Sequence, residues 1–148
     1  MDTINTIGYF LLYPLTGSQR DYIVGYIGAI LVVNNEGIPL EFKCTEAIKP
    51  TPVQRSLYGG TLETHIAVEL CAKPLLDKVT NKPAILFVNE QAFLTVHEKT
   101  GIPAWLVQQD GSLSDEWVRE SCRFELVEPF ERIKNAIMIL GTQDAKFR

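Results

Sequence analysis

A chain of 148 residues is the size of one ordinary domain, long enough to bury most of the surface its unfolded form exposes. With 46% hydrophobic and 22% charged residues it has a globular composition, far from that of disordered chains. Fourteen Lys and Arg against eighteen Asp and Glu give a net charge of −4, with the basic residues scattered singly, so nucleic acid is an unlikely partner on average charge. No run reaches the ~18–20 apolar residues of a membrane-spanning helix. Asp2 stands where a signal peptide would carry basic residues. Three cysteines without CxxC spacing, Cys44, Cys71 and Cys122, suit a reducing compartment, and the cytoplasm is the expected location.

Taken in chain order, Ile7 to Leu15 reads as an opening strand, closed by the polar turn Thr16 to Arg20. Tyr22 to Val33 is rich in β-branched and aromatic residues, with glycines at 25 and 28 that predict a bulge or a close backbone approach. Asn34-Asn35-Glu36-Gly37 supplies turn residues, and Leu40, Phe42 and Cys44 alternate with Glu41, Lys43 and Thr45 in a returning strand. Pro50 and Pro52 hold the next connection extended and open a short helix, Pro52 to Tyr58, ended by Gly59-Gly60. Thr61 reads as the N-cap of a longer helix, Leu62 to Val79, which Pro74 must kink or divide.

Ala84 to Val88 then predicts a short strand, Asn89 to Lys99 a helix stopped at Gly101, and Ile102 to Val107 another strand. Asp115 to Glu120 forms a helical turn, Arg123 to Glu128 an edge strand, and Pro129 opens a last helix that Gly141 stops. Strands alternating with helices define an α/β (or α+β) fold. A single globular domain, 1–148, is expected: a mixed β-sheet opened by an antiparallel hairpin, with helices packed on it.

Few residues suggest chemistry. Glu41-Phe42-Lys43 has the ExK form in which a hairpin strand offers a carboxylate to a divalent ion and an amine to a phosphate. Alternating charges on a strand that faces water explain the same residues. His65 and Glu69 stand i, i+4, a spacing that can share one metal, but Lys73 and Asp77 continue the row as a solvated, ion-paired stripe. Of the thiols, Cys44 and Cys71 read as small hydrophobes and Cys122 as the most accessible. Gly59-Gly60-Thr61 could present amides to an anion, but a helix stop followed by a helix start uses the same residues.

The wording Gly37-Ile38-Pro39-Leu40-Glu41-Phe42, then Lys49-Pro50, Gln54, Leu57-Tyr58-Gly59 and Thr61-Leu62-Glu63, resembles a set of small bacterial proteins sharing this block. That resemblance covers about a quarter of the chain and implies a bacterial soluble protein without implying an activity. At fold level the strand-turn-strand and helix are also similar to roadblock and longin-like modules, from which the unit Ala84 to Val107 departs. The leading expectation is therefore a non-enzymatic subunit or adaptor of a bacterial assembly, with phage defence as one setting. It would act through a protein partner or as a homo-oligomer, without cofactor or metal, and with Tyr58, Trp105 and Trp117 as interface candidates. The alternatives are a metal-dependent nuclease or other hydrolase using Glu41 and Lys43, and a small-molecule-binding sensor with its pocket near Tyr58 to Thr61.

Overall fold

The computed structural model describes residues 4–17 and 22–143. A five-stranded sheet runs in the order β3-β2-β1-β4-β5, built from β1 (Ile7–Thr16), β2 (Ile23–Val33), β3 (Pro39–Cys44), β4 (Ile85–Val88) and β5 (Ala104–Leu106). β1, β2 and β3 form an antiparallel meander, while β4 lies parallel to β1 and β5 parallel to β4. The expected mixed sheet opened by a hairpin is present, with the turn closed at Gly37, whose φ of 81° only glycine adopts freely. Asn34 organises this turn, its Oδ1 accepting from the backbone amides of Glu36 and Ile38.

Alternation along the strands divides the apolar residues between two faces. Ile7, Tyr9, Leu11, Ala29, Leu31, Val33, Ile85 and Phe87 face one layer, made by α5 (Glu116–Ser121) and α6 (Glu128–Gln143). Phe10, Ile30, Val32, Leu86 and Val88 face the other, a helical run from residue 62 to 78 together with α4 (Val96–Thr100). Helices therefore cover both faces, as buried parallel strands require. Tyr9 anchors the first core: it is fully buried, its ring meets Phe87 and Phe130 edge-on at 5.2 and 4.9 Å, and its hydroxyl donates to the Leu126 carbonyl at 2.8 Å. Burial pushes this phenol far above its ordinary pKa, so it remains a neutral donor.

The helical run departs from expectation in an instructive way. α1 (Pro52–Tyr58) has the expected bounds, with Thr51 and Gln54 completing a reciprocal cap. Gly59–Thr61 then continues as a 3₁₀ turn, and Thr61 is no N-cap: its backbone is already helical and its hydroxyl donates back to the Tyr58 carbonyl. After α2 (Leu62–His65), residues Ile66–Ala72 form a π-helix ahead of α3 (Lys73–Lys78). Pro74 lacks an N–H and its ring would collide with the carbonyl four residues back, so the wider turn divides the run there, one of the two outcomes expected of that proline.

Several other expectations are corrected. The glycines of β2 are not among them: the register shift opposite Leu15/Thr16 skips Val24 beside Gly25, where an added Cβ would also meet the Ile48 carbonyl oxygen, and an added Cβ at Gly28 would overlap the Cys71 side chain. Arg123 to Glu128 forms no strand. Side-chain and tertiary bonds claim its backbone: Arg123 donates to the Asn35 carbonyl, and the Glu125 carboxylate accepts from the amides of Val127 and Glu128 at the start of α6. Gly141 does not stop α6, which runs to Gln143. Cys122 is buried and donates to the Val118 carbonyl, whereas half-buried Cys44 is the most exposed of the three thiols.

Candidate functional site at the carboxyl ends of the strands

The chain leaving β4 crosses onto the π-helix face, where Phe93 and Val96 are buried. The chain leaving β5 passes to the opposite face, where Val118, Leu126 and Phe130 are buried. Two neighbouring parallel strands whose outgoing segments part to opposite faces leave a crevice at their carboxyl ends, the usual ligand position in open α/β sheets. Here that crevice has a volume of about 1020 Å³. Asn89, Glu90 and Gln91 line it after β4, Gln108, Asp110 and Ser112 after β5, and Glu131 and Lys134 from α6.

The crevice is polar and its parts are held firmly. Gln108 to Ser112 folds into a tight turn in which the Gln108 amide donates to the Ser112 carbonyl at 3.1 Å and the Gly111 amide donates to the Gln108 carbonyl at 2.9 Å. Gly111 takes φ 85°, a conformation that favours glycine. Hydrogen bonds from Ser112 hold the Asp110 carboxyl below the usual carboxylate range, so Asp110 stays ionised. Lys134 pairs with Glu131 at 3.3 Å. Glu90 and Asn89 extend the crevice into a smaller recess of about 170 Å³, lined also by Ile23, Tyr26, Glu63 and Phe93. Burial, and then the nearby Glu63 carboxylate, raise the pKa of Tyr26.

The residues singled out from sequence lie elsewhere. Glu41 and Lys43 sit 3.7 Å apart on β3, the edge strand on the opposite side of the sheet from β5 and the crevice. The Glu41 charge does not merely meet water. Its carboxylate accepts from the amides of Thr80 and Asn81 and from Asn81 Nδ2, and these bonds, with Lys43 contributing least, hold its pKa low. His65 and Glu69 are separated by their partners: the Tyr58 ring lies 4.7 Å from the His65 ring, and Lys99 bonds Glu69 at 3.2 Å, lowering its pKa. Among the described residues, no three His, Cys, Asp or Glu side chains are grouped to hold a metal ion. Tyr58 and Trp117 are exposed, whereas Trp105 packs against the core from β5, its Nε1 buried without a partner among the described residues. Sequence reading missed Glu90, Asp110 and Glu131, which lie on three separate elements. Glu90-Gln91 after β4 and the Gln108 to Ser112 loop after β5 were their only local signals.

No protein-family model matches the chain, and no curated protein matches it. Among solved structures it is similar in fold to endonuclease V of Ciona intestinalis, in complex with a DNA containing an inosine, with a TM-score of 0.51 at 14% identity. The likeness covers 90% of this chain and 56% of that one, so the chain spans little more than half the length of its neighbour. This corrects the expected partner set, a protein partner or homo-oligomer with nucleic acid unlikely, because a solved structure of similar fold holds DNA. A net charge of −4 averages over the whole surface and does not describe one crevice. Among the described residues no helix is long and apolar enough to cross a membrane.

Proposed function

We propose that this chain binds nucleic acid at the crevice beyond β4 and β5. The observation that carries the reading is the crevice itself, at the carboxyl ends of parallel strands in a fold similar to that of a DNA-bound endonuclease. Its chemistry suits unpaired bases better than a phosphate backbone. Amides such as Gln91 and Gln108 match the donor and acceptor pair on an adenine edge, and carboxylates such as Glu90 accept from exocyclic amino groups. Among the described residues Lys134 is the one cation lining the crevice, and it is paired with Glu131.

The test is fluorescence anisotropy of labelled single- and double-stranded DNA and RNA, with and without Mg²⁺. Saturable binding to single strands is expected, weakened in the double variant Gln91→Ala/Gln108→Ala. Binding that no crevice substitution alters would overturn the assignment. A second reading, metal-dependent phosphodiester hydrolysis, draws on the crevice carboxylates, since Mg²⁺ is commonly held by one or two protein carboxylates together with substrate phosphates. It moves the hydrolytic alternative from Glu41 and Lys43 to Glu90 and Glu131. Cleavage that requires Mg²⁺ or Mn²⁺ and disappears in Glu90→Gln is the expected result, and cleavage surviving that change would sink it.

A further inference from the structure

The face beside the crevice carries a ladder of rings and one guanidinium that neither core uses. The Arg55 guanidinium stands over the Tyr22 ring at 5.3 Å from its centroid. Tyr58 follows Arg55 by three residues on α1 and so lies on the same side of that helix. The Tyr58 ring in turn lies 4.7 Å from His65. Tyr22 is 52% and Tyr58 38% exposed, and α1 buries no residue at all. A helix whose every side chain reaches solvent contributes little to folding, and its one aromatic residue, Tyr58, keeps part of its ring exposed beside His65.

Charge is distributed unevenly here. From Ala47 to Leu62 the chain contains Lys49 and Arg55 and no acid, in a protein with eighteen Asp and Glu. The ladder is also continuous with the crevice: Arg55 Nη2 donates to the Ile23 carbonyl at 2.8 Å, and Ile23, Tyr26, Glu63, Asn89 and Glu90 line the recess that opens from it.

From this geometry we infer that Tyr22, Arg55, Tyr58 and His65 form a stacking platform for a single-stranded nucleic acid whose end enters the crevice. The inference rests on the reading of the crevice given above and adds a second subsite and a substrate class. Partly exposed rings with a guanidinium over one and an imidazole beside the other accept successive bases on their remaining faces without regard to sequence, and Arg55 and Lys49 meet the strand's phosphates. A paired duplex keeps its bases stacked on one another and cannot use such a platform.

The experiment measures anisotropy of a labelled mixed-sequence single-stranded DNA of about 16 nucleotides on the wild type, on Tyr22→Leu/Tyr58→Leu, and on Gln91→Ala/Gln108→Ala. Leucine keeps an apolar side chain at positions that are already exposed, so the melting temperature serves as the check that folding is intact. The platform variant should lose roughly 5- to 100-fold in affinity for the long strand and little for a dinucleotide that reaches only the crevice. Undiminished binding by a folded platform variant would overturn the platform alone. Failure of the wild type to bind any oligonucleotide would overturn both the platform and the crevice reading. Capture of a protein by the same aromatic face, with no effect of the substitutions on single-strand binding, would also count against it.

Discussion

The two ends of β4 carry acidic side chains in opposite circumstances. At the amino end, Glu41 reaches across from β3 and satisfies the backbone amides of Thr80 and Asn81, which lead into the strand. At the carboxyl end, Glu90 stands exposed at the edge of an open crevice, which Asp110, held by Ser112, and Glu131, paired with Lys134, also line. A carboxylate surrounded by donors organises its own chain, whereas one facing empty volume has bonding capacity left for a ligand. The ExK spacing, which drew attention to Glu41, says nothing about that difference.

The largest effect is expected between the two ends, in the core that holds them apart. Tyr9→Ala removes a fully buried ring packed on Phe87 and Phe130 and should cost about 3–5 kcal/mol in urea unfolding. A mild loss would mean that the crevice wall formed by Phe130 is not anchored through Tyr9, and the contrast between a rigid end and an open one would weaken. Next comes the crevice itself. Gln91→Ala/Gln108→Ala should weaken single-strand binding roughly tenfold, the value of about one good base-edge pair, and leave the melting temperature unchanged because both side chains are exposed. If stability falls with affinity, the carboxyl end is structural too.

What could be read from the chain follows from how local each feature is. The hairpin from Gly28 to Cys44 and the short helix from Pro52 to Tyr58 depend on neighbouring residues: an Asn34-to-Gly37 turn, alternation, and a Thr51–Gln54 cap beside Pro52. Thr61 misled because its residue type suits a cap while Gly59-Gly60 here continues the helix as a 3₁₀ turn. Arg123 to Glu128 misled because Glu125 and Tyr9 claim backbone groups that a strand would have needed. The crevice was illegible for a stronger reason: it exists only because two successive connections turn to opposite faces, a property of topology that no window of sequence contains.

Protonation sharpens the comparison at the amino end. The hydrogen bonds from Asn81 and Thr80 depress the Glu41 pKa, so its stabilising contribution is complete above the ordinary value of 4.5 and is lost as the pH falls through the lower folded value. Glu41→Gln should therefore melt below the wild type at neutral pH, and the gap should close as the solution is acidified. Oligonucleotide affinity should be unaffected at neutral pH. A gap that persists unchanged at low pH would show that the carboxylate charge is not what the Thr80 and Asn81 amides require.

The smallest effect belongs to Lys43. Its ammonium lies 3.7 Å from Glu41, but 41% of its side chain is exposed, and an exposed pair of this kind contributes little because water and salt screen it. Lys43 also ranks last among the causes of the low Glu41 pKa, behind the backbone amides. Lys43→Ala is accordingly expected to shift the melting temperature by no more than about 1 °C and to leave binding and any metal-dependent cleavage intact. A hydrolase built on the ExK pair predicts the reverse, because there the lysine stabilises charge on the reacting phosphate and its removal abolishes turnover in a protein that still melts normally. That one substitution therefore decides which end of β4 meets the substrate.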